Sequence, residues 1–233
     1  MIRNFLFSLF FFFGIVLISI LFIPSFFLPQ KFVLFGGKIM GYWSSFCLRI
    51  FLSTKIIIKG KENIINNQKF FIAASHQSMF ETFFLQTIFS SPVFILKKEL
   101  LSIPIFGWYL KKIGSISIKR NKISKENLSF FDDIIKFVNT SDRPLVIFPQ
   151  GTRLSPEDRS PFKKGASRIY EKLKITCQPI AINSGYSWPK NGLKKPNLNL
   201  TISILKPIES GMEKEKFLKK LESEIYSELD ALN

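Results

Sequence analysis

Apolar positions along the chain change their pattern twice. From Phe5 to Ile23 they are continuous, and FLFSLFFFFGIVLISILFI holds only Ser8 and Ser19 as polar members. As a helix this run reaches about 28 Å, close to the ~30 Å hydrocarbon core of a bilayer, so it predicts a membrane anchor. The sequence Ile23-Pro24-Ser25-Phe26-Phe27 offers no small-residue cleavage site, which argues against a secretory signal. Between Phe32 and Leu52 the apolar positions persist, but Lys38, Ser45 and Arg49 fall within about 40° of one helical face. That stripe, with Trp43 and aliphatics opposite, predicts a helix lying in the membrane interface. A second full span would bury two cations at roughly 2.5–3.5 kcal/mol each.

From about residue 54 the period shortens. Lys69–Ala74, Val93–Leu96, Ser115–Ile118, Pro144–Phe148, Pro179–Ile182 and Asn199–Leu205 are short strand-like runs. Between them lie helical spacings. Leu128, Phe131, Ile135 and Val138 form one set, and Phe217, Leu221, Ile225, Leu229 and Leu232 another. Strands alternating with helices predict an α/β sheet covered by helices. With no internal repeat and no dividing linker, the expected organisation is a membrane anchor over 1–53 and one globular domain over 54–233.

Charge narrows the partners without selecting one. Thirty-three Lys and Arg against 17 Asp and Glu give a net charge of +16. This suits nucleic acid, anionic headgroups or phosphorylated substrates, although an abundance of Lys, Ile, Phe and Asn accounts for part of it as composition. The first 60 residues contain Arg3, Lys31, Lys38, Arg49, Lys55 and Lys59 and no acid. A basic flank after the first apolar segment favours a cytoplasmic globular domain. Cys47 and Cys177 form no CxxC, and with one histidine in the chain no metal site is expected. GxxxxGK[ST], GxGxxG and GxSxG, the motifs of nucleotide binding and serine hydrolysis, do not occur.

That one histidine begins the stretch HQSMFET, residues 76–82. In structural terms Ser78-Met79-Phe80-Glu81 is a capping box, with Ser78 as N-cap and Glu81 at N3. In chemical terms His76 is a base and Glu81 its orienting carboxylate. On one continuous helix the two side chains would sit about 140° apart, so they meet only if the helix starts between them. A cap at Ser78 provides that start and aims Glu81 back toward the loop. A carboxylate on one imidazole nitrogen fixes the tautomer and leaves the other nitrogen to take a proton.

Three further stretches follow in order: KKELLSIPIFGWYLKKIGSISIKR (Lys97–Arg120), FPQGTR (Phe148–Arg153) with PFKKGA after it, and QPIAINSG (Gln178–Gly185). Backbone N–H groups at a Gly turn beside a guanidinium suit phosphate oxygens. Taken with His76-x4-Glu81, these blocks resemble, in order and spacing over roughly residues 54–210, the 1-acylglycerol-3-phosphate acyltransferase family. The resemblance implies a mixed β-sheet flanked by helices, the glycerolipid acyltransferase fold, with an N-terminal membrane-embedded part. It implies His76 as base, Glu81 as its partner, and Lys97, Arg120, Gly151, Thr152 and Arg153 as candidates to hold the glycerol phosphate. No cofactor or metal is implied.

By the same resemblance the substrates are lysophosphatidic acid and an acyl thioester of coenzyme A or acyl carrier protein, and the product is phosphatidic acid. The expected place is a membrane, with the catalytic domain on its cytoplasmic side and no role for nucleic acid. Ile103–Trp108 is expected to line an acyl channel or to be core. Two positions depart from the family pattern. Glu81 stands where Asp is usual, and Gln150 where Glu is usual, so an essential carboxylate at 150 is not expected and a hydrogen-bonding support for the turn is. The alternatives are the same transfer to glycerol 3-phosphate or a lysophospholipid, and a non-catalytic basic membrane adaptor.

Overall fold

A computed structural model describes residues 1–118 and 125–232, with the backbone alone for 125–129. Among these, seven strands form one sheet: β1 (Lys55–Lys59), β2 (Phe70–Ala74), β3 (Val93–Lys97), β4 (Ile116–Ile118), β5 (Leu145–Ile147), β6 (Thr176–Ile182) and β7 (Asn199–Ile204). Their order is β1-β7-β6-β2-β5-β3-β4. Five neighbours, β6 to β4, run parallel; β7 is antiparallel to β6, and β1 runs parallel to β7. The sheet is therefore mixed, and the carboxyl ends of five strands emerge along one edge. In open α/β sheets that edge is where ligands bind.

Helices cover both faces. The order is α1 (Ile2–Leu21), α2 (Gln30–Leu52), α3 (Phe80–Ile88), α4 (Phe106–Lys112), α5 (Lys125–Thr140), α6 (Gly165–Leu173) and α7 (Lys214–Ala231). Strand β2 shows the division, because alternate side chains leave a strand on opposite sides. Ile72 and Ala74 belong to one core with Phe7 and Phe11 of α1, Leu48 of α2 and Phe80 and Leu85 of α3. Phe71 and Ala73 pack with Ile134 of α5, Ile169 of α6 and Phe217 and Leu221 of α7. A central parallel strand buried on both sides reads as a continuous apolar run, which is why FFIAA shows no polar alternation.

Residues 1–53 form one of these layers. Helix α1 is, among the described residues, long and apolar enough to cross a membrane. Phe5, Phe12, Phe13 and Val16 stay exposed, while Phe7 and Phe11 are fully buried, packed on Trp188 and, for Phe11, on Phe83. Polar ties hold the helix at both ends. Arg3 donates to the Phe51 carbonyl and the Ser53 hydroxyl, both at 2.7 Å. Asn4 exchanges two 2.7 Å hydrogen bonds with the main chain of Lys194. Near the other end the Tyr109 hydroxyl donates to the Ser19 carbonyl at 2.6 Å.

The predicted polar stripe on α2 does not survive packing. Arg49 is exposed and Lys38 half-buried, but Ser45 is buried, its hydroxyl donating to the Gly41 carbonyl at 3.0 Å. Helix α2 crosses α3 so closely at Gly41 that a Cβ there would lie 2.6 Å from the Phe83 carbonyl. Three other expectations shift. The KIIIK segment is a strand, although its flanking lysines and lack of alternation hid it. Helices α4 and α6 lie in stretches not read as helical. The buried face of α5 is Phe130, Ile134 and Val138, rotated from the expected set, with Phe131 partly buried and Leu128 outside the described side chains.

Candidate active site

Strand β2 carries the chain to Ser75 and His76 at the carboxyl edge. Ser75 is locked onto β6, its hydroxyl accepting from the Ile182 N–H at 2.7 Å and donating to the Ile182 carbonyl at 3.2 Å. The FPQGTR segment then holds the main chain of His76. The His76 N–H donates to Gln150 Oε1 at 2.6 Å, and its carbonyl accepts from the Leu154 N–H at 2.9 Å. The imidazole stacks on Phe148 with centroids 4.0 Å apart and planes 16° apart. Ring and backbone are thus fixed by one segment from the end of β5.

The carboxylate of Glu81 is fully buried. Its Oε1 accepts from the Gln77 N–H at 3.0 Å, the Ser78 N–H at 3.1 Å and the Ser184 hydroxyl. Oε2 shares the Ser78 N–H at 3.2 Å, accepts from the Ser78 hydroxyl at 3.3 Å and lies 3.8 Å from His76 Nδ1. Nδ1 is itself buried and makes no hydrogen bond among the described residues, and Glu81 is the anion it faces. At 3.8 Å this is an ion-pair distance, and such pairs tighten when substrate binds. Burial drives the Glu81 carboxyl upward, but His76, the Ser184 hydroxyl and the Gln77 N–H outweigh burial and hold it below its ordinary 4.5. Glu81 is therefore ionised at neutral pH. An Nδ1–H directed at it leaves Nε2 as the nitrogen able to take a proton.

The capping box forms only in part. Helix α3 starts one residue later than expected, with Met79 at the N-cap position. Ser78 Oγ accepts from the Phe80 N–H at 2.8 Å in place of the N3 donor. The reciprocal half is present, since Glu81 accepts the Ser78 N–H. Because the carboxylate also collects Gln77 N–H, it is drawn back into the loop that carries His76.

His76 opens on a cavity of about 550 Å³. Its polar lining includes Lys97, Thr152, Arg153 and Lys190, with Thr82 and Gln86 of α3, and its apolar lining includes Val33 and Met40 of α2, Phe83 of α3 and Ile113 beyond α4. Lys97 and Arg153 make no ion pair among the described residues. Lys190 Nζ stands 3.5 Å from Thr152 Oγ1. Gly151 does not line the cavity; at φ +73° it closes the turn, donating to the Phe148 carbonyl at 2.9 Å, and glycine alone adopts that conformation without strain. Arg120 lies outside the described residues. Of Ile103–Trp108 only Phe106 lines the cavity, while Ile103 and Trp108 are exposed. Gln150 supports His76 directly, beyond its expected role in the turn.

Sequence reasoning passed over Lys190 and Ser184. Both lie in the connection after β6, and no local spacing marks them. What brings them to the site is topology, since the chain crosses from β5 over β2 to β6 and so returns beside the His76 loop.

A family model described as Acyltransferase matches residues 55–183, over half of the chain. The chain belongs to the acyltransferase family. This acyltransferase is 33% identical over 159 residues to the 1-acyl-sn-glycerol-3-phosphate acyltransferase of Pseudomonas aeruginosa, covering 66% of this chain and 60% of that one. It is 39% identical over 116 residues to the enzyme of that name from Helicobacter pylori, covering 48% of each. The relative of the same name from Saccharomyces cerevisiae is 28% identical over 168 residues, covering 70% of this chain and 54% of the relative. The match thus spans about half to three fifths of these relatives. The crystal structure of the 1-acyl-sn-glycerophosphate (LPA) acyltransferase PlsC from Thermotoga maritima superposes with a TM-score of 0.78. It covers 100% of the acyltransferase at 24% identity, and so bears out the mixed-sheet fold.

Proposed function

We propose that the protein transfers an acyl group from a thioester to the sn-2 hydroxyl of 1-acyl-glycerol 3-phosphate, giving phosphatidic acid. One observation carries this reading: a buried His–Glu pair opens on a cavity that is cationic on one side and apolar on another. The phosphate docks on Arg153 with Lys97 and Lys190, Arg120 being a further candidate from the sequence. The donor's acyl chain takes the apolar lining of α2, α3 and α4.

His76 Nε2 removes the sn-2 proton as that oxygen attacks the thioester carbonyl. The resulting imidazolium faces ionised Glu81, which stabilises it and fixes the ring. Collapse of the tetrahedral intermediate breaks the C–S bond. The thiolate leaves and takes the proton back from His76, so one base serves both halves and no metal is needed. Holding acceptor and donor in one cavity supplies much of the rate. The donor is a coenzyme A or acyl-carrier-protein thioester.

The exposed phenylalanines of α1 support membrane attachment, and the basic first 60 residues support a cytoplasmic catalytic domain. The deciding experiment follows thioester consumption by purified protein across lysophosphatidic acid, glycerol 3-phosphate and lysophosphatidylcholine. Lysophosphatidic acid should be preferred, and His76→Ala should lower kcat by about 10²–10⁴. Wild-type rates in a folded His76→Ala protein would end the proposal.

A further inference from the structure

We propose that Ser184 is a positioning residue for the His76–Glu81 pair, so that the segment after β6 acts on the base and not on the substrate. The inference rests on the acyl-transfer reading for its kinetic consequences, and on geometry alone for the link itself.

Ser184 is fully buried, two residues past the end of β6 and 103 residues from Glu81 in the chain. Its hydroxyl donates to Glu81 Oε1. The loop that carries it is fixed on both sides. Asn183 accepts from the Thr201 N–H at 2.7 Å and donates to the Leu232 carbonyl at 3.2 Å. The Gly185 N–H donates to Gln77 Oε1 at 3.0 Å, and the Ser184 carbonyl accepts from the Trp188 N–H at 2.8 Å. A Cβ at Gly185 would lie 2.9 Å from Gln77 Cβ and 3.0 Å from Pro156 Cγ, so the loop approaches the His76 segment as closely as a backbone can. Ser184 is therefore presented to Glu81 by a rigid support.

The division of contacts on the carboxylate gives the support its consequence. The terminal torsion of glutamate is soft, with no sharp staggered wells, so a carboxylate must be oriented by its partners. Three donors converge on Oε1, and Ser184 is the one that comes from another part of the fold. With Oε1 fixed in that direction, Oε2 is turned toward His76 Nδ1. Without Ser184 the remaining hydrogen-bond donors, on both oxygens, belong to residues 77 and 78, and the tie to the segment after β6 is lost. Glutamate suits this arrangement. Its arm is longer than that of aspartate by one carbon–carbon bond, about 1.5 Å, and the carboxylate is engaged on one side by Ser184 and on the other by His76. His76 is the ionisable group facing Glu81; Gln77, Ser78 and Ser184 are neutral.

The test uses the full-length protein in detergent with Ser184→Ala and Ser184→Thr. Ser184→Ala should lower kcat about tenfold, leave KM for lysophosphatidic acid within about twofold, and move the acid limb of the kcat/KM profile to lower pH, because a loosened Glu81 stabilises the imidazolium less. Ser184→Thr keeps the hydroxyl and should restore most of kcat. In a Glu81→Gln background Ser184→Ala should cost nothing further. A raised KM with an unchanged pH profile would assign Ser184 to the acceptor site, and equal losses in Ala and Thr would assign it to packing; either overturns the proposal. His76 is the single histidine, so its ring proton signal reads the pair without turnover. A midpoint moved by Ser184→Ala supports the link even if no acceptor is ever acylated, which would sink the functional reading instead. An unmoved midpoint sinks the link.

Discussion

Gln150 holds the main-chain N–H of His76 at 2.6 Å, so the same turn that presents Arg153 to the cavity also fixes the base. An acceptor oxygen is what this position requires, and an amide supplies it as well as a carboxylate. Gln150→Glu should therefore keep kcat within a few-fold. Gln150→Leu leaves the His76 N–H without a partner at a cost of about 1–3 kcal/mol. It should lower both the melting temperature and kcat, as seen in paired thermal melts and thioester assays.

Replacing Glu81 by glutamine puts an amide donor among the Gln77 and Ser78 N–H groups and removes the charge that faces the imidazolium. Its kcat should fall by about 10²-fold or more. Glu81→Asp keeps the charge but shortens the arm, so it gives up either Ser184 or His76. An intermediate loss, about tenfold, is expected in the same assay.

The depressed Glu81 carboxyl also sets an acid limit to stability. A carboxylate whose folded value lies below its unfolded one stabilises the fold fully above the unfolded value, 4.5. That contribution is lost as pH falls through the lower folded value. Urea melts between pH 3 and 7 should show a steeper loss below about pH 4.5 for wild type than for Glu81→Gln. Parallel curves would exclude the linkage.

Cations at the cavity should separate phosphate monoesters from diesters. Arg153→Ala should raise KM for lysophosphatidic acid by roughly 10–100-fold, as expected on losing a charge-assisted hydrogen bond or bidentate pair. Lys190→Ala, at an exposed site, should raise it by only a few-fold. Both effects should shrink with lysophosphatidylcholine as acceptor, and the Lys190 effect should fade as salt rises.

Filling the apolar side should change the donor and leave the acceptor alone. Met40→Trp adds bulk where α2 lines the cavity. It should shift preference toward shorter acyl chains in a competition between thioesters, with KM for lysophosphatidic acid little altered.

What could be read directly from the chain depended on period and proximity. The regular spacing of Phe217, Leu221, Ile225 and Leu229 marked α7 because that helix packs one face on the sheet. His76 and Glu81 were legible because a helix start lies between them, even though the start falls one residue later than the cap predicts. The face of α5 was misplaced because Phe130 and Phe131 are both apolar, and only the neighbouring layer decides which is buried. Ser45 reads as part of a polar stripe because its spacing from Lys38 and Arg49 does not reveal that it is buried, its hydroxyl turned onto the Gly41 carbonyl. Ser184 and Lys190 reach the site through a crossover, and no sequence period encodes which strands become neighbours.

The ties at both ends of α1 bear on how the protein can be handled. Phe7 and Phe11 fill the interior, and Arg3, Asn4 and Ser19 fasten the helix to segments as distant as Lys194. Trimming the first helix to obtain a water-soluble enzyme would strip a wall from the core and uncover Trp188 and Phe83, on which Phe7 and Phe11 pack. Solubility has to be sought by repainting the outward face, at Phe5, Phe12, Phe13 and Val16, with the helix left where it is.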